Sequence, residues 1–468
     1  MEENAGRPEQ VAVPPRTTSR FDRLWKVCGI ALAFVVLLVA GAIGTLYLWS
    51  EIAYRSAMKE AGTHGIPATW DEAKPPAIPN EDNAADDYRS AFALMAEVDK
   101  KLRAIPAAPG GSGFVPHECW YEFEKYLKAG EKKEVVTAVL PYLSEYGEVV
   151  ALLVRASHKP HVQLDSLWAT YDLKELASMR SATRLLMMNA FVALQEKRFN
   201  DAAQYICTSI RIDEHLGRHT LLIVALVRNV MRWYLYTVVQ QALKADLPDD
   251  TLRQLADALT GPSDGGFFYK TMRVEVASFL ATYQKLIDGR VKLEQVVFHS
   301  YPPGDYSYAG CGLAIRFDRV FYLTQMNRTI DSVKMPMSEG FDASTLEPQT
   351  YPFYARFSKF AFNGIYGLPR WAAGCAIRDL MKFGVALRRY ELRNGRFPEK
   401  LDQLVSTGLL DELPPDPCSG KPYHYIVRGR EMTVYSNGRN AVDDGGVTAS
   451  LPEDGDILLQ LELLHGEK

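Results

Sequence analysis

The chain is poor in ready-made chemistry. Its 468 residues hold six cysteines, Cys28, Cys119, Cys207, Cys311, Cys375 and Cys418, all widely separated and with no C-x-x-C pair. That spacing excludes zinc ribbons and thioredoxin-like redox motifs, leaving one disulfide or buried free thiols as the alternatives. An excess of one charge is also missing. With 53 basic against 57 acidic side chains the net charge is −4, so no global field pulls the chain toward nucleic acid. There is no G-x-x-x-x-G-K and no G-x-G-x-x-G after a strand, which removes the signatures of a P-loop and a dinucleotide fold.

What is present is one long apolar run. Residues 27–49, VCGIALAFVVLLVAGAIGTLYLW, contain no charge and are long enough to cross the roughly 30 Å hydrocarbon core of a bilayer as one helix. Arg16, Arg20, Arg23 and Lys26 precede it, against Arg55 and Lys59 after it. The positive-inside rule therefore keeps the N-terminus cytoplasmic and exports the remainder. Trp25, Tyr47 and Trp49 stand at its ends, where amphipathic rings favour the headgroup level. A cleaved signal peptide is the rival, but its apolar region is normally about 7–15 residues. The length favours a retained signal anchor, a single-pass segment in the cell membrane.

Hydrophobic residues make up 47% of the chain and charged residues 24%, ordinary for globular protein with a sizeable core. The expected organisation is a cytoplasmic tail at 1–26, disordered over residues 1–20, the anchor at 27–49, a linker at 50–82 in which Ser50 to Met58 can continue as helix before the glycines and prolines from Gly62 on, an all-α extracytoplasmic domain at 83–370 and a smaller α+β module at 371–468. Tyr88, Phe92, Met95, Val98 and Leu102 recur at helical spacing, with Asn83 as cap and Pro106 and Pro109 closing the segment. After Gly110, Gly111 and Gly113, a second helix is expected over 131–156, kinked or divided at Pro141. Within 179–245, a helix through Leu194, the turn KRFN and the run DAAQYICTSIRI capped by Asn200 resemble one tetratricopeptide-type hairpin, with small Ala202 and Ala203 where two helices approach. Further helices are expected at 220–245, from Pro248 to near Gly261, at 267–287, at 316–333 and at 351–362, with a packed aromatic loop over 301–312. The overall fold class is mainly α.

From 376 to 392 a helix ends at Asn394-Gly395, a short helix follows around Leu401 and Leu404, and YHYIVRGREMTVYS alternates about Gly429-Arg430 as a β-hairpin. The pieces Leu387-x-x-Tyr390-x-x-x-Asn394-Gly395-Arg396-Phe397-Pro398, Leu413-Pro414-Pro415-Asp416-Pro417, Gly420-Lys421-Pro422-Tyr423-His424-Tyr425 and Tyr435-Ser436-Asn437-Gly438, then Asp443-Asp444-Gly445-Gly446 and Asp456-Ile457, together resemble the globular part of type II secretion major pseudopilins. The likeness covers under a fifth of the chain. No Gly-ending leader and no Phe-Thr-Leu-x-Glu start accompanies residues 27–49, and a helical region separates them from the module, so the likeness implies a borrowed module and not a fibre subunit. The whole arrangement resembles bacterial single-pass membrane proteins with one anchor, a helical middle and this C-terminal module.

The resemblance implies calcium in the acidic loop, with Asp443, Asp444, Asp454 and Asp456 as candidate ligands, since clustered carboxylates in a Gly-rich turn suit a hard cation. Arg439-Asn440 stands where the family has Ala-Asp; a solvated turn is the alternative. His215 and His219 are spaced i, i+4, but Leu216 replaces the Glu a zinc protease needs, so polar residues near a helix end is the preferred reading. His158 and His161 flank Pro160 in a loop. Ser56-Ala57-Met58-Lys59 fits S-x-x-K without either companion motif of that enzyme class. No catalytic residue is assigned. The expected function is a membrane-anchored scaffold or protein-interaction protein of the cell envelope, with a protein partner and no nucleic acid. The alternatives are a cell-envelope hydrolase whose residues converge only in the fold, or an accessory component of a type II secretion-like system.

Overall fold

The computed structural model describes residues 20–104, 115–130, 139–170, 172–260, 266–292, 312–338, 341–447 and 455–464. The expected tail up to residue 19, the Pro- and Gly-rich break at 106–113, residues 131–138 of the expected second helix, the aromatic loop up to residue 311 with Cys311, and Asp454 lie outside them. Helices dominate. The order begins with α1 (Arg20–Thr63), the one-turn α2 (Trp70–Ala73), α3 (Ala85–Ala104), α4 (Trp120–Ala129), α5 (Gly147–Ser157) and the short α6 (Asp165–Thr170). It continues with α7 (Lys174–Gln195), α8 (Phe199–Leu216), α9 (Leu222–Leu243), α10 (Asp249–Leu259), α11 (Phe267–Ile287) and α12 (Gly312–Thr329). Then come α13 (Arg356–Ala361), α14 (Gly367–Asn394) and α15 (Asp402–Ser406). The strands β1 (His424–Arg428), β2 (Glu431–Ser436) and β3 (Ile457–Glu462) form an antiparallel sheet in that order.

α1 is one unbroken helix of 44 residues. From Leu24 to Trp49 its side chains are exposed; at Ser50 burial begins, and Ala57 and Ala61 are buried further on. The helical continuation expected over Ser50 to Met58 reaches Thr63 and is packed along α12. Gly62, Gly65 and Pro67, which suggested a linker, act only beyond that packed turn: Gly65 takes φ +67 just after the helix ends. α9 is also long and apolar enough to span a membrane, but it is mostly buried, packed by α7, α8, α11 and α14. It is the core helix of the body.

Its two arginines are buried with it. Arg228 and Arg232, one turn apart, each donate two hydrogen bonds to the buried carboxylate of Asp213 on α8, at 2.9–3.2 Å. Trp371 of α14 lies beneath both guanidinium groups, at 5.2 and 4.6 Å from ring centroid to carbon. A buried ion pair is tolerable only with close, hydrogen-bonded geometry, which the shared carboxylate supplies here.

α14 links the two expected parts of the chain. Its residues pack on α9 and α10, and also on β2 and β3, so the expected boundary at 370/371 falls within the first turns of one helix. The helix begins at Gly367 because Pro369 stands in the first turn, where no amide partner is required. It ends where Gly395 takes φ +69 and donates to the Glu391 carbonyl at 2.7 Å, a left-handed cap. Tyr236 and Gln240 of α9 both donate to the Leu458 carbonyl of β3, tying the sheet to the helical body directly. The hairpin β1–β2 turns at Gly429-Arg430 as expected, with φ +60 at Gly429.

The α7–α8 hairpin turns through Lys197 at φ +58. Asn200 is not the cap: α8 starts at Phe199, and the Asn200 side chain instead accepts a hydrogen bond from Thr251 at 3.4 Å. Asn83 meets its expectation one residue early, accepting from the Ala85 amide at 3.0 Å. The helix expected over 131–156 is interrupted by a 3-10 turn at Ser144–Tyr146, and of that expected at 351–362 the first five residues are loop before α13. The five described cysteines are free thiols.

Ala203 of α8 is completely buried. Ala203→Leu should overpack this site and lower stability by about 1–3 kcal/mol, read as a fall in melting temperature; an unchanged melt would contradict tight packing there.

Candidate functional site

The Asp416 loop shows how the C-terminal motif residues are used. Asp416 is fully buried and its carboxylate accepts from the Cys418 amide, the Ser419 hydroxyl, the Ser436 hydroxyl and the Asn437 amide, at 2.7–3.1 Å. It clamps the loop before β1 onto the end of β2. Gly438 follows at φ +67, where a Cβ would sit 2.0 Å from the Gly455 carbonyl oxygen; only glycine allows that approach.

The acidic loop is next to this clamp. Asp443 accepts from the Tyr435 hydroxyl at 3.2 Å and the Gly445 amide at 2.9 Å. Asp444 accepts from the Asn440 side chain at 3.0 Å. Asp456 is nearly fully buried and accepts from the Gly446 amide at 2.8 Å, while its Oδ1 is buried with no hydrogen-bond partner among the described residues. Burial raises its pKa, and the nearby Asp444 and Asp443 charges add to the rise. Among the described residues no three His, Cys, Asp or Glu side chains are gathered so as to hold a metal ion. Asp443, Asp444 and Asp456 are thus neighbours without forming a ligand cage, and Asp454 lies outside the described residues.

The histidine pair has a definite role. His215 Nδ1 meets the Tyr88 hydroxyl at 3.0 Å and its Nε2 the Lys159 carbonyl at 2.8 Å. A carbonyl can only accept, so Nε2 carries the proton and Tyr88 donates to Nδ1. His219 repeats the pattern: Trp168 donates to Nδ1 at 2.8 Å and Nε2 donates to the Val162 carbonyl at 3.2 Å. Both rings have both nitrogens engaged and tie the strap at 159–162 to α8. Burial pushes each pKa down to about 4. A second buried dyad, His117 with Asp99 at 3.0 Å and Tyr146 donating to the same carboxylate, fixes the turn before α4 to α3. Ser56 and Lys59 are exposed on α1.

The surface carries two adjoining clefts that sequence patterns did not indicate. One, of about 710 Å³, lies between α8 and α10 with His158 at its edge; the other, of about 400 Å³, lies between α10, α14 and the loop at 408–414. They share Asp257 and Thr260 of the α10 end. Asp201, Glu214, Asp257, Asp379, Asp411 and Glu412 line them, against Arg211, Lys382 and Arg389. Cys207 lines the first; burial pushes its thiol up to about 11 and it donates to the Gln254 carbonyl, so it is no ready nucleophile. In the second, Asp379 accepts from the Tyr423 hydroxyl at 2.8 Å, and burial raises its carboxyl to about 6.

Comparison of the chain with protein-family models, curated proteins and solved structures gave no match.

Two measurements follow from this geometry. A ring with pKa 6.5 unfolded and about 4 folded leaves the unfolded state binding more protons between those values, so its contribution is complete above about pH 6.5 and is lost as pH falls toward 4. By pH 5 this amounts to about 2 kcal/mol per ring. Buried Glu275 and Asp318, raised to about 7 and about 6, act in the opposite direction. The informative quantity is therefore the gap in melting temperature between the wild type and His215→Gln or His219→Gln: it should narrow from pH 7.5 to 5, and a constant gap would contradict neutral buried rings. For the acidic loop, a calcium ion held through Asp456 predicts that full-length protein gains roughly 0.6–1.8 kcal/mol in about 2 mM calcium over chelator. Asp456→Asn should remove that gain, and identical wild-type melts would leave the loop a plain turn.

Proposed function

We propose that the chain is a single-pass membrane protein of the cell envelope whose helical body is an interaction scaffold, exported while the basic N-terminal flank stays cytoplasmic. One observation carries this reading. The apolar helix does not end at the bilayer but runs on into the fold, so that the last residues of its exposed apolar part already pack on α12: Tyr47 lies under the Arg316 guanidinium and Trp49 against Phe317, with centroid distances of 5.4 Å in each case. Loss of the segment after residue 49 would strip both contacts and open the helix inside its own seam. Retention is therefore favoured over cleavage.

The acidic excess along the joined clefts supports a partner presenting Lys or Arg side chains. The hairpin packing of α7 and α8 suits a scaffold of stacked helices, and the pseudopilin-like motifs support the narrower version, an accessory part of a secretion-like system. A hydrolase has one feature in its favour, the Asp379 carboxyl near neutrality in the second cleft. It lacks an accompanying nucleophile among the described cleft residues.

With a reporter active only outside the cytoplasm fused after residue 468, the full-length protein should give reporter activity and resist alkaline extraction from membranes at full mass. Soluble protein beginning after residue 49, or an inactive reporter, would overturn the proposal.

A further inference from the structure

We propose that the body makes a second contact with the bilayer, beside α1, by inserting Phe353 with its neighbour Tyr354 into the headgroup layer; this rests on reading residues 27–49 as a retained span. α12 serves as a ruler of height above the membrane because it runs parallel to α1. Moving outward from the bilayer, Tyr47 meets Arg316, Trp49 meets Phe317, and Glu51 meets Arg319 at 3.4 Å. The Ala57 carbonyl then accepts from Asn327 at 2.8 Å, and His64 meets Asp331 at 3.3 Å. The near end of α12 is thus level with the end of the apolar run.

The loop before α13 descends along that ruler. Tyr351 packs on Phe321 at 5.9 Å and Tyr354 on Phe317 at 5.8 Å, four positions lower, or about 6 Å at the helical rise. Tyr354 therefore joins the ring cluster that contains Trp49. Phe353 packs on Tyr354 at 5.4 Å and is 66% exposed; among the described residues it is the one exposed phenylalanine outside α1. Leu48, Trp49 and Ile52 on α1 are also exposed at this level, so the surface that meets lipid extends to Ile52. A bilayer has roughly 5–8 Å of headgroup region beyond each side of its core, where aromatic rings are favoured. Lys359 is exposed on α13, whose first turn is held at the level of Asp318 by the Phe357 and Ser358 amides, and it places a cation where anionic headgroups lie. The apolar ring, its height and the adjacent cation together fit a lipid surface.

The test uses the full-length protein in phosphatidylcholine–phosphatidylglycerol vesicles with a photoreactive phenylalanine analogue, Phe353→benzoylphenylalanine, and a parallel control at Phe34. Irradiation should give phospholipid adducts at both positions, with the yield at 353 within about tenfold of that at 34, as expected for a ring in the interface and not the core. A covalent dimer or a protein adduct at 353, or no adduct there while Phe34 labels, would overturn the second contact and leave the anchor intact. Failure of Phe34 to label lipid would overturn the anchor reading and this inference with it.

Discussion

Glu51 lies between Arg316 and Arg319, at 3.8 and 3.4 Å, while the Arg319 guanidinium covers the Tyr54 ring at 3.5 Å from its centroid. This seam joins the long apolar helix α1 to a folded body without an intervening joint. The Arg319 side chain is almost wholly buried and reaches Gln284 of α11 as well, so the grip extends from α1 through α12 into the second layer of helices. A desolvated cation over a tyrosine ring is worth about 2 kcal/mol, and removing Glu51 would leave partly buried cations without their carboxylate, a costly loss. Orientation of the body relative to α1 follows from these few contacts.

Farther from the bilayer the same principle holds the body together. Asp213, Arg228, Arg232 and Trp371 bring α8, α9 and α14 to one buried point, and Arg388 of α14 donates to the Leu243 carbonyl of α9 and the Glu462 carbonyl of β3. The sheet is thereby fastened to the helices by side chains from a helix that belongs to both. A partner held in the clefts along α10 and α14 would sit at a fixed position relative to the membrane.

Much of this was legible in the sequence where one face of an element meets one environment. The helix at 267–287 and the hairpin around Gly429-Arg430 follow from apolar period and turn chemistry alone. The helical continuation of α1 past Ser50 was legible, but its packing against the body was not, because the packed face is made of Ser50, Ala57 and Ala61, small residues that carry little apolar signal. The buried pairing of the α9 arginines leaves no local pattern, since their shared carboxylate lies 15 and 19 positions away. At the sites, the motif around Asp416 was visible but its work as a clamp was not, and the roles of His215 and His219 depended on carbonyls in a strap that no spacing rule connects to them. Clefts formed by three helices and a loop leave no local pattern at all.

The central claim is that the apolar helix α1 and the body are one rigid element. Amide hydrogen exchange on the full-length protein in lipid nanodiscs tests it directly across residues 46–63. A continuous helix packed on α12 predicts slow exchange through Ser50 and Tyr54 to Ala61, comparable to that of α12 itself, because these amides are hydrogen-bonded within the helix and half-covered by the seam. Rapid exchange over residues 50–60 flanked by protected segments would show a flexible joint there and contradict the account.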